Sequence, residues 1–246
     1  MVRDFLNNHG SAMFMIPPGV DPNLDDVLKY YGIRFGDNYV YETSSKMTTR
    51  MFGPTSPLVS KQDEHEITAN LENQNFLFPF VRSVEVARKS KNILTTRILA
   101  SSSNSWAESD MQSVKTVRTN QKPTRNEGEA KGPITVAVVV ERVFDLPDSL
   151  IKYDVTTFNI RSAFFGNATF ITNQFVSAFP SNTNLFLNTV NWITRNEKII
   201  EITPHMEAFT PIELRQSQRK LLSWLTLIIF PSSILIVGIF VWYRRR

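Results

Sequence analysis

The 246 residues include no cysteine, three histidines and nine glycines. Without cysteine there are no disulfides, no thiolate zinc site and no Cys nucleophile. The histidines, His9, His65 and His205, lie far apart in sequence. Neither Gly-x-Ser-x-Gly nor His-Glu-x-x-His occurs, so hydrolase signatures are lacking. Glycines nowhere cluster into a Walker A loop or a dinucleotide fingerprint, which excludes the ATP-hydrolysing part of any assembly. Met1 to Gly10 is polar and has no apolar core of a signal peptide.

What is abundant is apolar sequence at the other end. Leu221 to Tyr243 carries no charge, and Ser223, Thr226, Ser232 and Ser233 are its polar residues. At 1.5 Å per residue this run covers roughly 34 Å as a helix, enough for a bilayer core of about 30 Å. Trp224 near one end, and Trp242 and Tyr243 at the other, suit the two headgroup belts, and Arg244, Arg245 and Arg246 close the chain. Pro231 falls mid-run and frees the Leu227 carbonyl, which Ser232, Ser233 or a neighbouring helix would satisfy. The expectation is one membrane helix at 221–243, a basic lead at 211–220 and a tail at 244–246.

The pI of 9.3 points towards nucleic acid, but the charge map points away from it. Of the 27 Lys and Arg residues, Arg215, Arg219, Lys220 and the three terminal arginines flank the apolar run. Residues 1–210 keep 21 basic against 22 acidic side chains, about −1 net. The positive excess is a membrane collar, whereas a nucleic-acid reader carries its charge on the folded domain. With three basic residues on each side, charge does not decide which way the helix runs.

Residues 1–210 read as one α/β domain. Val2–Asn8 has helical character, and Ala12–Ile16 is a strand stopped by Pro17-Pro18-Gly19. Asp21-Pro22 opens a helix through Leu24, Val27, Leu28 and Tyr31 that Gly32 ends. Strands are expected at Tyr39–Tyr41, Ile93–Ala100, Ile134–Val140, Asn159–Phe165 and Lys198–Ile202, with helices at about 168–178 and 185–194. Residues 44–92 are irregular, and 115–132 form an exposed polar loop. The continuous apolar run Ile134–Val140 marks a strand buried on both faces, as in a parallel sheet. The helix at Val2 should follow a strand, so the first unit of the sheet is expected to lie upstream.

Three places could carry function. Phe164-Phe165-Gly166-Asn167-Ala168-Thr169 sits where a strand meets a helix, the edge at which open sheets bind ligands. Asn167 there either caps the helix or holds a small polar ligand, with capping the blander role. Ser101 to Trp106 offers hydroxyls beside an aromatic, as a sugar or peptide pocket does, or is a polar strand end with Trp106 in the core. His65, within Asp63-Glu64-His65-Glu66, reads as part of a solvated loop of charges rather than a cation site. No residue set suggests a cofactor or a metal.

The chain resembles the auxiliary, substrate-binding-like component of ABC transporters associated with bacterial gliding motility. The resemblance runs through Phe5-Leu6-Asn7-Asn8-His9-Gly10 with the Met-rich strand after it, Leu28–Val40, His65-Glu66-Ile67-Thr68 and Ser103–Glu108. It continues through Phe165-Gly166-Asn167-Ala168-Thr169-Phe170 with Asn173, Leu185–Trp192 and the Phe-Pro and Trp-Tyr-Arg-Arg-Arg of the anchor. Ser103–Glu108 matches a Ser-x-Ser-Trp-x-Glu pattern, and Asn167 stands where the family usually has Asp. The resemblance implies a mostly parallel, flavodoxin-like or glutamine-amidotransferase-like sheet without catalysis. It implies ABC permease and ATPase partners, and a periplasmic domain anchored in the bacterial inner membrane. Asn167, Thr169, Asn173, Ser105 and Trp106 would be its ligand or partner contacts. Against that family the chain is expected to lack an N-terminal anchor and first domain, as would the downstream part of a split or mis-started gene whose upstream polypeptide completes the sheet. A free-standing carbohydrate- or peptide-binding protein is the alternative, and a hydrolase using Ser105 or Asp154 comes third.

Overall fold

The computed structural model describes residues 2–7, 10–43, 51–71, 73–88, 92–110, 124–145, 157–195 and 223–245. The expected strand at 198–202, the lead at 211–220, His9, His205, Asp154 and Arg246 lie outside them. Two compact units result, Met1–Met206 and Glu207–Arg246.

The first unit opens with α1 (Val2–Asn7), β1 (Ala12–Met15), α2 (Asp25–Tyr31), β2 (Ile33–Phe35) and β3 (Tyr39–Glu42). It continues through β4 (Leu58–Lys61), α3 (Glu66–Ala69), β5 (Phe76–Leu77), β6 (Val84–Val86), β7 (Ile93–Ala100) and β8 (Ser105–Glu108). The long strands β9 (Thr135–Asp145) and β10 (Thr157–Phe165) precede α4 (Asn173–Ala178) and α5 (Pro180–Thr194). The main sheet has six strands in the order β1-β10-β9-β7-β4-β5, and β2–β6 and β3–β8 form two-stranded pairs.

The pairing corrects the expected mostly parallel sheet. Among the described strands only β1 runs parallel to its neighbour, β10, and the other pairs are antiparallel. The misreading has a physical source in β9. Val136 and Val139 face one apolar cluster, with Phe78, Phe165 and Leu185, while Val138 and Val140 face another, with Leu28, Tyr31 and Phe164. A strand sandwiched between two apolar layers loses its alternation whichever way its neighbours run. The layers are α1 and α2 on one side and α3 and α5 on the other, judged by their buried residues Leu6, Val27, Ile67 and Trp192.

Local chemistry explains several boundaries. Gly32 ends α2 in the left-handed region (φ 68°), and its N–H meets the Leu28 and Lys29 carbonyls. The helix begins a turn later than Asp21-Pro22 implied. Asp21 Oδ1 accepts from Asn23 N at 2.9 Å, an Asx turn that competes with capping. The expected helix at about 168–178 is instead a 3-10 turn, Thr169–Ile171, followed by α4. Pro180 sits in the first turn of α5, where its missing N–H costs nothing.

In the second unit a π-helical turn, Leu225–Ile229, runs into α6 (Phe230–Arg244). Among the described residues, Leu225–Arg244 is one helix of 20 residues long and apolar enough to cross a membrane, and none of it is buried. Pro231 lacks the N–H that an α-helix would give to Leu227, and the π turn lies just before it, with Phe230 N–H bonded to Leu225 O. Ser233 Oγ donates to Phe230 O at 2.7 Å, not to the Leu227 carbonyl as expected.

Candidate functional site

The turn after β10 is a clamp. Gly166 packs so tightly that a Cβ would come within 2.1 Å of the Arg82 carbonyl oxygen. Asn167 is buried; its Nδ2 donates to Pro79 O (2.8 Å) and Phe80 O (2.6 Å), and its Oδ1 accepts from Thr169 N. The amide is therefore spent on the chain itself, closing an Asx turn onto Thr169 at the start of the 3-10 turn and holding the 79–82 loop. That loop carries Phe80 in the left-handed region (φ 54°) with its ring half exposed, a conformation rare for an aromatic residue. Arg82 is buried beneath it and donates to Gly36 O (2.5 Å), Pro17 O (3.0 Å) and Val20 O (3.1 Å). Burial pushes its pKa below the usual arginine value, with the charges of Asp37 and Asp21 opposing. Thr169 is half-buried, and Asn173 is exposed at the start of α4.

Ser105 and Trp106 lie on β8, and no hydrogen bond or cavity joins them to Asn167 among the described residues. Ser105 Oγ shares a 2.6 Å hydrogen bond with Ser101 Oγ and donates to Ser102 O at 2.8 Å. Among the described residues these partners of Ser105 are a hydroxyl and a carbonyl, neither of which is a general base. The Trp106 ring is buried against Tyr41 at 4.7 Å, and Nε1 donates to Glu108 Oε2 at 3.0 Å. The spacing Trp-x-Glu thus satisfies a buried indole from two residues along the same strand face.

Glu108 is completely buried and its other oxygen accepts from Asp110 N at 2.9 Å. It also hydrogen-bonds the carboxyl of Glu129, which arrives from the 124–132 segment. Burial raises Glu108, helped by the bond and charge of Glu129 against the bonds from Trp106 and Asp110. Burial also pushes Glu129 up, but bonds from Ser109 N, Asn126 N, Ser109 Oγ and Glu108 outweigh it and leave its pKa lowered. The two carboxyls are therefore shifted in opposite directions by one shared environment. Beside them lies a cleft of about 660 Å³ lined by Asn38, Ser83, Glu85, Arg97, Ser109 and Glu129 among others. Sequence reading found Glu108 within its motif but missed Glu129, whose only signal is one acid in a polar loop. No group of three or more metal-ligating side chains occurs among the described residues.

His65 corrects the reading of a solvated charge loop. It is half-buried, its Nδ1 accepts from Ile67 N at 3.2 Å to cap α3, and its ring meets Trp192 edge-on at 4.9 Å. Burial lowers its pKa below 6.5, with Glu141 and Glu66 opposing. A folded pKa below the unfolded one gives stability that is full above pH 6.5 and lost as pH falls through the folded value. His65→Asn keeps the cap without the titration. Its melting temperature is expected to stay flat as pH falls below 6.5, where wild type loses stability through its lowered histidine.

At the C terminus, Trp224, Trp242 and Tyr243 are exposed along the apolar helix, and Arg244 and Arg245 close its described part.

These features define a mixed α/β domain followed in sequence by one helix of membrane-spanning length. The chain belongs to the family described as an ABC-type uncharacterized transport system, an auxiliary component, whose profile matches residues 2–196. Among solved structures its fold is similar to the mmIFT52 N-terminal domain, at 15% sequence identity and TM-score 0.50, covering 81% of this chain and 71% of that one. That likeness concerns fold alone. No curated protein matches the chain.

Proposed function

We propose that this protein is a membrane-anchored, non-catalytic subunit that holds a substrate or partner near an ABC permease. The observation that carries the reading is the wholly exposed apolar helix Leu225–Arg244, following a domain of the auxiliary transport family. An exposed apolar surface of this length needs lipid or other helices around it. In this reading the α/β domain faces the periplasm and the terminal arginines the cytoplasm, the orientation that the family resemblance implies. Phe80 and Asn173 present the contact surface next to the Asn167 clamp, with Thr169 beneath, and Ser105 and Trp106 support the cleft beside Glu129.

Gentle detergent extraction followed by affinity purification tests it. A polytopic permease and a P-loop ATPase should be recovered with the chain. Recovery of the chain alone, folded and monodisperse, would favour a free-standing carbohydrate- or peptide-binding protein that uses the same 660 Å³ cleft.

The helix supplies a sharper prediction. Pro231→Leu permits regular α-helical bonding in place of the π turn and reshapes the face offered to neighbouring helices. Interhelical contacts in membranes are worth about 0.6–1.7 kcal/mol each, so permease recovery should fall by about three- to twentyfold. Resistance to alkaline carbonate extraction should not change, since the variant is no less apolar. Undiminished recovery would remove Pro231 from the docking role.

A further inference from the structure

We propose that the cavity where α2, β6, β7 and β9 meet binds a phosphate group, carried by a free phosphomonoester or by a lipid headgroup. It measures about 320 Å³ and is lined by Lys29, Arg88 and Arg142 together with Tyr30, Gly32 and Asn92. Three cations line it, and no acidic residue does so among the described residues. An oxyanion held in the cavity would meet all three cations. Two guanidiniums offer planar forks that match phosphate oxygens bidentately, and an ammonium adds a point charge.

The walls are built rather than incidental. Gly32 O accepts from Ala87 N (2.8 Å) and Arg88 N (3.3 Å), which fixes the exit of β6 against the end of α2. Val143 N donates to Asn92 O at 3.0 Å, tying the entry of β7 to β9. Gly32 admits no side chain here, since a Cβ would meet the Arg88 carbonyl oxygen at 2.3 Å. Arg142 is buried at the base, its Cζ 4.0 Å from the Tyr30 ring centre and 5.8 Å from that of Tyr31. Burial draws its pKa down to about 10. The negative end of α2 competes little, because the Leu28 and Lys29 carbonyls are already capped by Gly32. The volume is at the lower end for ligand sites and takes a small ester rather than a nucleotide.

The test uses the full chain in zwitterionic nanodiscs, with calorimetric titration of inorganic phosphate and then glycerol phosphate at constant ionic strength. Saturable binding is expected, tighter for the ester. The double variant Lys29→Gln, Arg88→Gln changes two exposed side chains, so a thermal melt should match wild type, while affinity falls by at least about tenfold. Nanodiscs containing phosphatidate distinguish the sources. Competition by that lipid with inorganic phosphate identifies a headgroup site, and its absence beside tight glycerol phosphate binding identifies a free ester. No saturable heat up to about 10 mM phosphate, or equal affinity in the folded double variant, would overturn the proposal. Arg142→Gln adds a check on the buried cation, but the exposed pair decides the outcome without depending on its folding.

Discussion

Asn167→Asp is expected to destabilise the α/β domain by about 3 kcal/mol or more at pH 7, although it changes one nitrogen to oxygen. In the folded chain that nitrogen donates to two carbonyls, Pro79 O and Phe80 O, and the side chain is 2% exposed. A carboxylate there loses both bonds, sets an anionic oxygen against two carbonyl oxygens and buries an unpaired charge. For a domain of this size about 1 kcal/mol corresponds to some 2–4 °C, so melting should drop by about 6–12 °C. The deficit should shrink in acid. Aspartate in this site would titrate above its unfolded value of about 3.9, so its stability is full below that value and lost as pH rises through the folded one. Asn167→Ala makes a useful control. It forfeits the same bonds without burying a charge, and should be less damaging at pH 7 and insensitive to pH. If the Asp variant melted with wild type at pH 7, the side chain would not be a donor to the 79–82 loop. The Asp common at this position in the resembled family would then be freely interchangeable with Asn here.

This result bears on what could be read from the chain without coordinates. Strand and helix identities came through wherever a long apolar pattern existed. Ile93–Ala100, the Ile134–Val140 run, the β10 segment and the stripe of α5 were legible, and Gly32 marked the end of α2 by its backbone freedom. Strand direction was not legible. β9 is buried from both sides by two separate clusters, and that burial produces the same apolar run in an antiparallel sheet as in a parallel one. The short strands β4, β5 and β6 escaped notice because two to four residues carry too little period to stand above their loops. Sites fared likewise. A local role for Asn167 at the turn was readable from its neighbours, but its bonds to Pro79 and Phe80 span 88 and 87 residues of sequence. Trp106 and Glu108 are two residues apart and showed as a pattern, whereas Glu129 joins them only through the fold.

That distant partner should prove costly to remove. Glu129→Ala is expected to lower stability by about 3 kcal/mol at pH 7, because it strands three donors around a site that is 9% exposed. Glu129 Oε1 accepts from Ser109 N (2.9 Å) and Ser109 Oγ (2.8 Å), and Oε2 accepts from Asn126 N (2.7 Å). The loss should be local before it is global. Ala107 N donates to Ala130 O and Gly132 N to Ser105 O, so these amides report whether the 124–132 segment still lies on β8. Their hydrogen exchange should quicken in the variant, while amides of β9 and β10 keep their protection relative to global unfolding. The opposite shifts of the two carboxyls set the pH response. Glu108, raised above 4.5, contributes stability that is full below that value and fades as pH rises through its folded pKa. Glu129, lowered, contributes above 4.5 and fades as pH falls through its own. Stability from the pair therefore peaks between the two folded values. Glu108→Gln fixes that carboxyl in a neutral form and should abolish the decline on the alkaline side. It should also cost about 1 kcal/mol throughout, because an amide nitrogen cannot accept from Trp106 Nε1 or Asp110 N as the replaced oxygen did. Unchanged exchange at Ala107 and Gly132 in Glu129→Ala, together with a wild-type melting temperature, would mean the carboxyl pair does not hold the segment. The cleft beside it would then need another support.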